Sequence, residues 1–420
     1  MTDKKLSTDP YKGVRDFYPA DMAVQRYIFD SWGKSAESFG FERYDASILE
    51  SSELYKAKGA ANEEMVNEQT YTFTDRGERE VTLRPEMTPT VARMIAGKAR
   101  ELAYPVRWYS IPNLYRYERP QRGRLREHWQ LNCDIFGGDE MAADVEIIAL
   151  AHQLLLDFGA IPEQFEIRIN DRKLMQRIYT ALGVKEEAIP VITRLNDRKN
   201  KISAEEYRAE LETITGDETL AEEIIMMLEK SDEQTDVVVG LAELGITNVV
   251  FDKTLARGFD YYTGTIFEVF DVSGENNRAL LGGGRYDNLT AMFGGEPVSG
   301  VGFGMGDVTM RDFLETHKLL PASLNSTATH VVIVPMSAEQ NLAGESLAHK
   351  IRQAGHSVTT DISTRKVIKK IADARDKGAK FITVIGENEV ETGQVTLKNL
   401  SSGEEVTGEI AKLMNVLAVE

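Results

Sequence analysis

The residues from Arg107 to Gly137 alternate large apolar side chains with cationic ones, and this pattern constrains the fold more than any other feature of the chain. The arginines of the stretch are Arg107, Arg116, Arg119, Arg122, Arg124 and Arg126. The alternation breaks at Pro120–Gly123 and resumes at Trp129, which predicts a strand, a mobile basic loop and a returning strand. Cations held in this way can stabilise charge on phosphate oxygens, so the pattern favours a phosphoryl or adenylyl transfer site. A solvent-exposed surface hairpin is the alternative.

Length and cysteine content limit the class of protein. A chain of 420 residues can form two or three domains, each with its own core. The single cysteine, Cys133, excludes an internal disulfide and a multi-cysteine zinc site, and it is expected to be a small buried residue. The polar segment Met1–Asp9 does not resemble a signal peptide, and no apolar run is long enough to span a bilayer. We therefore expect a cytoplasmic protein without a membrane partner.

The distribution of charge bears on nucleic-acid binding. The net charge of −18 argues against nonspecific binding, which requires a basic surface. Positive charge is concentrated locally, in the arginine-rich stretch and again in Arg365–Lys380, which holds seven cationic residues and two acidic ones. An RNA could bind at such a local surface, while acidic surface elsewhere disfavours incorrect docking. For Arg365–Lys380, a solvated helix face and an RNA-contacting face are equally compatible with the pattern.

The first part of the chain predicts helices and strands in mixed order. Apolar spacing predicts a helix over Asp21–Phe39 and a strand over Phe41–Leu49. Tyr71–Thr74 and Glu80–Leu83 predict a hairpin, and Met141–Phe158 predicts a long amphipathic helix. Residues 171–245 are helical in pattern and rich in charge, and we interpret them as an inserted helical module.

The pattern changes in the last part of the chain. Residues 321–329 have the composition of a linker. Beyond them, strands predicted at Val331–Val334, Ser357–Ile362 and Phe381–Ile385 alternate with helices. This alternation predicts a small three-layer α/β domain over residues 330–420, with largely parallel strands.

Three segments resemble motifs of one enzyme family. Tyr115–Pro120 followed by Gln130–Asp134 resembles motif 2 of the class II aminoacyl-tRNA synthetases in its histidyl form. Leu255–Tyr262 resembles an arginine-containing peptide peculiar to histidyl-tRNA synthetases. Gly282–Asp287, together with Gly300–Gly306, resembles their motif 3. Several long motifs in the right order are far more specific than a single glycine pattern.

The resemblance implies a domain organisation. An α+β catalytic domain with an antiparallel sheet would comprise residues 1–170 and 246–320, with the helical insertion at 171–245. Residues 330–420 would be similar to the anticodon-binding domain of class II synthetases. The helix and strand predicted between residues 21 and 49 would correspond to motif 1, through which class II enzymes form homodimers. Ser47 stands where that motif usually has a proline.

The resemblance also implies a site for ATP. Arg116 and Arg257 would bind the α-phosphate from two sides, a task suited to the planar arginine fork. Glu118 would accept a hydrogen bond from the adenine amino group, and Arg124 would reach the outer phosphates. Gly304 is one of four glycines that alternate along one strand face, where a flat adenine can approach closely. Mg²⁺ would accompany ATP; no protein ligand for it is predicted, and no catalytic histidine is assigned.

The resemblance implies six residues that hold histidine, namely Glu86, Thr88, Gln130, Asp134, Tyr261 and Tyr262. The first three match positions that bind the α-ammonium group. Asp134 and Tyr262 match positions that hydrogen-bond the imidazole, and Tyr261 would line the same pocket. Such polar pockets reject analogues that lack the partner group by factors on the order of 10⁴. A structural hydrogen-bonded pair is the alternative interpretation of Asp134 and Tyr262.

One position departs from the family pattern. Motif 3 commonly ends with an arginine that stacks on the adenine, whereas this chain has Thr309 at that place. Arg311 lies about 200° round a helix from it and cannot simply substitute. The hypothesis is that Arg124 and Mg²⁺ carry more of the pyrophosphate charge here.

The implied function is ligation of L-histidine to tRNA(His), with ATP consumed and histidyl-adenylate as the intermediate. The alternative is a noncatalytic, histidine-sensing paralogue that regulates ATP phosphoribosyltransferase. Paralogues of that type usually lose the catalytic arginines and the C-terminal domain. Arg116, Arg257 and a full α/β tail are all present here, so the sequence favours the enzyme.

Overall fold

A computed structural model describes residues 6–57, 66, 68–199, 202–230, 235–256, 261–322, 324 and 329–419 of the chain. The chain forms two compact units: Val24–Pro321 with the segment up to Phe17, and Ala322–Glu420 with Tyr18–Ala23. Of the predicted linker, residues 323 and 325–328 lie outside the described residues. None of the helices described combines the length and the apolar character that crossing a membrane requires.

A mainly antiparallel sheet forms the centre of the first unit. The strands of this unit are β1 (Glu42–Arg43), β2 (Leu49–Ser51), β3 (Tyr71–Thr74), β4 (Glu80–Leu83), β5 (Val106–Ser110), β6 (Asn113–Tyr115), β7 (Glu127–Phe136), β8 (Phe165–Asp171), β9 (Val249–Phe251), β10 (Thr265–Asp271), β11 (Leu281–Arg285) and β12 (Gly300–Gly306). The large sheet has the order β1-β5-β7-β12-β11-β10-β8-β9, with β6 paired to β7. β2, β4 and β3 form a separate small sheet. The predicted α+β fold with an antiparallel sheet is confirmed.

Helices cover this sheet and bury its core. The helices of this part of the chain are α1 (Pro19–Ser38), α2 (Ser52–Lys56), α3 (Thr88–Lys98), α4 (Glu140–Asp157), α5 (Arg172–Ala181), α6 (Ile189–Arg198), α7 (Ala204–Thr215), α8 (Glu218–Glu229), α9 (Asp236–Glu243) and α10 (Asp307–Thr316). Trp32 of α1, Ile147 of α4 and Phe313 of α10 lie fully buried in one core with Phe267 of β10. Burial of large apolar side chains of this kind contributes about 1.5–3 kcal/mol each.

The predicted long helix and hairpin are both present. α4 begins after Asp139, whose side chain accepts a hydrogen bond from the Ala142 N–H at 2.8 Å and so satisfies a free donor of the first turn. The helix stops before Gly159, whose φ of +88° favours glycine. β3 and β4 pair antiparallel over the residues predicted for the hairpin.

The region predicted as a helical module contains five helices among its described residues. α5 to α8 enclose a core of their own, which includes Tyr179, Tyr207, Leu211 and Ile224. α9 behaves differently, because its Val237 and Leu241 belong to the main core beneath the large sheet.

The strand predicted over Phe41–Leu49 is wrong as a single element. The structure has β1 and β2 instead, and they belong to different sheets. Between them, the Ala46 carbonyl accepts a hydrogen bond from the buried Arg84 guanidinium at 2.8 Å, and the Ser47 hydroxyl accepts one from the Leu49 N–H at 3.2 Å. Side-chain hydrogen bonds of this kind compete with a strand ladder.

The arginine-rich stretch forms strands, with one interruption that the pattern did not predict. The strand expected from Arg107 to Arg119 is divided into β5 and β6 at Ile111-Pro112. Proline has no N–H to donate to a ladder, which explains the break. The chain returns as β7, which pairs with β5, β6 and β12.

The second unit contains a mixed sheet. Its strands and helices are β13 (Val331–Pro335), α11 (Asn341–Gln353), β14 (Val358–Thr360), α12 (Val367–Asp376), β15 (Phe381–Ile385), α13 (Glu387–Thr392), β16 (Val395–Asn399), β17 (Glu405–Gly408) and α14 (Ile410–Val419). β13 pairs parallel with β14 and β15, as predicted. β16 and β17 pair antiparallel, so the expectation of largely parallel strands is wrong for this half. Their connection is too short for a parallel crossover.

Candidate active site

A cavity of about 510 Å³ in the first unit is lined by four of the five residues predicted for ATP, the exception being Arg257. Its lining includes Arg116, Glu118, Arg124, Gln130 and Gly304. Arg116 directly follows β6, and its Nε donates to the Pro85 carbonyl at 2.8 Å. Because Pro85 precedes Glu86 in the chain, this bond links the arginine to the region predicted to bind the α-ammonium group of histidine.

The segment between β6 and β7 holds an ion pair inside this cavity. Arg124 Nε lies 2.5 Å from Glu118 Oε2, and the Glu118 carboxylate is buried. The backbones of Arg124 and Gln121 exchange two hydrogen bonds, of 2.9 and 3.0 Å, which close a turn at Gly123 with φ +71°. Glu118 is therefore already neutralised by Arg124, and an adenine amino group would have to share this carboxylate with it.

His128 of β7 also lines the cavity. Burial lowers the pKa of His128 to about 3, and the positive charges of Arg116, Arg15 and Arg124 act in the same direction. The imidazole of His128 is consequently neutral at pH 7. The positive charge around it is supplied by Arg15, Arg116 and Arg124.

Glycines on two adjacent strands leave an area of the sheet without side chains. Gly282 pairs with Gly304, and Gly284 pairs with Gly302, between β11 and β12. Residues directly opposite each other in such a ladder point to the same face. A Cβ at Gly304 would lie 2.6 Å from the Gln130 side chain, and a Cβ at Gly302 would lie 2.2 Å from Asp134 Oδ1. The alternation of glycine is thus required at both positions because polar side chains of β7 lie over them.

Asp134 lies on the same face of β7 as Gln130, four residues further along the strand. Its Oδ1 accepts a short hydrogen bond from the Tyr286 hydroxyl, while Oδ2 is buried and has no partner among the described residues. Burial raises the pKa of the Asp134 carboxyl to about 7, and the bond from Tyr286 partly offsets this effect. An unpaired buried carboxylate oxygen is costly unless a ligand satisfies it.

Asp134 and the remaining residues predicted for histidine are not among those that line the cavity. The Tyr261 hydroxyl donates to Glu86 Oε2 at 3.2 Å, and both side chains are buried. The Tyr261 ring lies 4.8 Å from that of Tyr262 and 5.9 Å from that of Tyr286, centroid to centroid. Thr88, partly buried, is the first residue of α3. Aromatic rings therefore connect the Glu86 carboxylate to the Asp134 carboxylate.

Arg257 lies outside the described residues, together with residues 258–260. The chain on either side reaches the site: Leu255 and Ala256 line the cavity, and Tyr261 binds Glu86. The role predicted for Arg257 therefore stays a prediction.

Two family models match the sequence in succession. The model described as histidyl-tRNA synthetase matches residues 13–307, and the model described as anticodon binding domain matches residues 330–420. The chain belongs to the histidyl-tRNA synthetase family. A histidine–tRNA ligase from Leptospira biflexa is 40% identical over 100% of this chain and 99% of its own length. One from Thermoplasma volcanium is 37% identical over 95% and 96%.

Solved structures of this family have the same fold. Histidyl-tRNA synthetase from Nostoc sp. PCC 7120 has a TM-score of 0.78 and 25% identity, with coverage of 99% of this chain and 100% of that one. An ATP phosphoribosyltransferase regulatory subunit/histidyl-tRNA synthetase from Bacillus halodurans has a TM-score of 0.72 and 22% identity, with coverage of 91% and 100%. The second likeness shows the fold alone.

Buried ion pairs hold motif 3 of this synthetase-family chain in place. Arg285 lies 2.6 Å from Asp144 of α4, and both side chains are almost fully buried. Asp307, at the start of α10, accepts from Arg15 at 2.6 Å and from the backbone N–H of Trp129 at 3.0 Å. The first pair joins the glycine-bearing strand β11 to α4, and the bond from Trp129 joins the end of β12 to β7, the strand that carries Gln130 and Asp134.

Two residues at the site were missed by the sequence analysis. Tyr286 was quoted within motif 3, but Tyr262 was chosen as the phenol beside Asp134. Arg278 lines the cavity and comes from the segment between β10 and β11, which carries no recognised motif. A cation in a segment without a motif gives no signal until the fold places it next to other charged residues.

Proposed function

We propose that this chain is a histidine–tRNA ligase, which activates L-histidine with ATP and transfers the histidyl group to the 3′ end of tRNA(His). The observation that carries the proposal is the arginine-lined cavity with Gln130 of β7 in its wall, because the same strand carries the buried Asp134 on the same face, four residues further on. The full-length similarity to proteins named histidine–tRNA ligase supports this reading of the site.

The first step is displacement at phosphorus. The histidine carboxylate, already ionised at neutral pH, attacks the α-phosphorus of ATP, and the bond to the bridging oxygen breaks with its electrons leaving on pyrophosphate. Arg116 would stabilise the charge on the α-phosphate oxygens, since its guanidinium is held at the wall by the Pro85 carbonyl. Arg257 would supply a second cation. No protein base is required, and the neutral His128 takes no part.

Recognition of the amino acid would use both ends of the molecule. Asp134 Oδ2 would accept a hydrogen bond from an imidazole N–H, which would satisfy an oxygen without a partner among the described residues. Glu86, Thr88 and Gln130 would bind the α-ammonium group. Tyr261 and Tyr262 would line the pocket between them, with Tyr286 holding the Asp134 carboxylate in position.

Magnesium is proposed to accompany ATP. Mg²⁺ prefers oxygen ligands and usually takes one or two carboxylates together with substrate phosphates. Glu268 lines the cavity and would supply a carboxylate to the ion, whereas Glu118 is paired with Arg124 and is the residue proposed for the adenine amino group. When bound, Mg²⁺ would offset negative charge on the phosphates. The adenine is proposed to lie against the glycine face that includes Gly304.

Transfer to tRNA would involve the second unit. We propose that residues 330–420 bind the anticodon, that residues 1–170 with 246–320 form the catalytic domain, and that 171–245 is an insertion. In Arg365–Lys380, Arg365 is paired with Asp361 and Asp373, while Lys366 and Lys369 are exposed. These two lysines are the candidates for RNA contact.

We also propose that the enzyme is a cytoplasmic homodimer. β1 is an edge strand of the large sheet, so its free edge is open to pairing with a second copy. The position of Ser47 just beyond β1 places the departure from motif 1 close to that edge. Light scattering after gel filtration measures the oligomeric state.

The paralogue that only senses histidine remains the alternative. It would bind histidine but exchange no pyrophosphate. Histidine-dependent exchange of labelled pyrophosphate into ATP, with each of the twenty amino acids tested in turn, separates the two. If histidine is the one amino acid of the twenty that supports exchange, the protein is a ligase. A well-folded protein that shows no exchange with any of them supports the sensor.

Arg116→Ala provides the first variant prediction. Loss of a cation that acts on the transferred phosphate should lower the kcat of exchange by a factor on the order of 10² or more, with unchanged thermal unfolding. Arg119→Ala removes an exposed arginine three residues away and serves as the matched control. Equal exchange rates for Arg116→Ala and the control would contradict the assignment.

A further inference from the structure

Four arginines line the cavity, and two of them, Arg168 and Arg278, have no role in the reaction proposed above. Arg168 is paired with Glu166 and Asp252, which leaves Arg278 as the candidate for a further role. Arg278 lines the cavity together with Arg124, Glu118 and Thr309. The residue is partly buried, and it comes from the segment that joins β10 to β11, far in sequence from the loop that carries Arg124.

The side chain of Arg278 occupies space that a glycine leaves free. A Cβ built on Gly123 would lie 2.9 Å from Arg278 Cδ and 3.5 Å from Thr309 Cγ2. Gly123, Arg278 and Thr309 therefore meet at one wall of the cavity. The loop of Gly123 is tied to the same segment a second time, because Arg122 Nη2 donates to Asn276 Oδ1 at 3.2 Å.

The small side chain of Thr309 contributes to this arrangement. Its hydroxyl donates to backbone carbonyls, those of Leu280 and Gly306, each at 3.2 Å. The Thr309 hydroxyl is thus bound to backbone at the start of β11 and the end of β12, and the side chain adds no charge to the cavity wall. The charge at this wall comes from Arg278.

The electrostatic surroundings place Arg278 at the end of the cavity where Arg124 lies. Burial lowers the pKa of the Arg278 guanidinium, the Arg124 cation lowers it further, and the Glu118 carboxylate opposes both. Arginine remains protonated in proteins despite such a shift. Glu118 is 2.5 Å from Arg124, so this end has two cations for one buried carboxylate. Such an excess of positive charge favours a polyanion.

We propose that Arg278 is an ATP-binding residue that contacts the β- and γ-phosphates. The inference rests on the proposed function and deepens it, because it assigns a residue to the pyrophosphate end of the same site. As the bond between the α-phosphorus and the bridging oxygen breaks, the electron pair stays on that oxygen, and Arg278 holds the pyrophosphate that leaves. Arg124 and Mg²⁺ then share this charge with Arg278 and do not carry it alone.

The test separates phosphate contact from other roles by comparing nucleotides. Dissociation constants for a nonhydrolysable ATP analogue and for AMP are measured by calorimetry on the full chain. Arg278→Ala is expected to weaken the analogue about tenfold or more, as expected for loss of a charge-assisted hydrogen bond. AMP, which lacks the outer phosphates, should bind within about twofold of wild type. Arg278→Lys should restore part of the loss, since it keeps the charge but not the fork.

Kinetic measurements and a matched control complete the experiment. In the exchange reaction, Arg278→Ala should raise the KM for ATP and for pyrophosphate, with the KM for histidine within about twofold of wild type. Arg311→Ala removes an arginine that pairs with Glu315 on α10 and should leave all three values unchanged. Thermal unfolding of each variant shows that the fold is retained.

Two outcomes would overturn the inference. Unchanged affinity for the ATP analogue in Arg278→Ala would mean that the guanidinium does not contact the phosphates. Equal losses for the analogue and for AMP would place it on the nucleoside or the α-phosphate. A wild-type protein that binds ATP but lacks histidine-dependent exchange would contradict the proposed function, while the comparison of the ATP analogue with AMP would still decide the role of Arg278.

Discussion

The two oxygens of the Asp134 carboxyl have different surroundings: Oδ1 accepts from Tyr286, and Oδ2 has no partner among the described residues. The same burial that leaves Oδ2 without a partner raises the pKa of this group to about 7. A carboxyl group of this kind is destabilising when it ionises without a bonding partner for Oδ2, and it becomes a strong acceptor when a ligand donates to it. If Asp134 accepts from a ring N–H as proposed, that recognition comes at a cost in folding stability.

Asp134→Asn tests this cost through its pH dependence. The folded protein retains the Asp134 proton up to about pH 7, whereas the unfolded chain loses it near pH 4. The contribution of this group to stability is therefore complete below about pH 4 and is lost as the pH rises to about 7. Asparagine has no proton to lose. As the pH rises from about 4 to about 7, the free energy of unfolding of Asp134→Asn should therefore increase by a few kcal/mol relative to that of the wild type.

Urea unfolding of both proteins at several pH values measures this difference. Asp30→Asn, a change at an exposed position, provides the control, and its difference from wild type should not vary in the same way. A difference between Asp134→Asn and wild type that is constant from pH 4 to pH 8 would show that the carboxyl is not protonated in the folded state.

The sequence predicted which residues would lie around the cavity better than it predicted their partners. Arg116, Glu118, Arg124 and Gln130 lie within one strand–loop–strand segment, so local pairing is sufficient to bring them together. The partner of Asp134 depends on side-chain packing across β7, β12 and β11, which a sequence pattern does not specify. Arg278 depends on where a segment without a motif folds back, and for that reason it was missed.

At the scale of elements, predictions succeeded where a regular hydrophobic pattern ran uninterrupted along the segment. The hairpin of β3 and β4 and the helix α4 have uninterrupted patterns and clear stop residues. The strand predicted over Phe41–Leu49 failed because the Arg84 guanidinium takes a backbone acceptor from this segment. The partner of that acceptor is distant in sequence, so the local pattern contains no sign of it.

A buried polar contact fixes how three of the helices α5 to α8 pack together. The Tyr207 hydroxyl of α7 donates to Asn196 Oδ1 of α6 at 2.6 Å, and Asn196 Nδ2 donates to the Tyr179 hydroxyl of α5 at 2.9 Å. All three side chains are buried in the core of α5 to α8. One asparagine thus ties together three helices, and its amide is satisfied at both ends.

Tyr207→Phe should destabilise this group of helices. The variant leaves Asn196 Oδ1 buried without its donor, which costs about 1–3 kcal/mol in the free energy of unfolding. Tyr18→Phe, at a tyrosine that is 72% exposed, is the control and should change little. Denaturant unfolding followed by circular dichroism measures both, and equal stability of the two variants would show that the hydrogen bond across α6 and α7 contributes nothing.

At the scale of the whole molecule, the chain builds separate cores in its two units. The main core of the first unit draws on residues from α1 to α10, with Leu319 and Leu320 packed against it. The core of the second unit begins at Val331 and includes Leu417 of α14. Neither of these two described clusters shares a residue with the other, so each has its own source of apolar stabilisation.

A chain that ends at Pro321 should therefore fold and keep the first of the two proposed reactions. It retains the cavity and the buried Asp134, and histidine-dependent pyrophosphate exchange should stay within about tenfold of the full chain. Charging of tRNA(His) should fall by a factor on the order of 10² or more, because the basic segment Arg365–Lys380 is removed and with it contacts to the tRNA backbone. Full-length protein with Lys366→Ala and Lys369→Ala gives the matched comparison, since its core is intact. Its charging should fall below that of the wild type most at low salt, because the loss of two phosphate contacts lowers the salt dependence of tRNA binding. A truncated protein that folds and charges tRNA as well as the full chain would contradict the role proposed for residues 330–420.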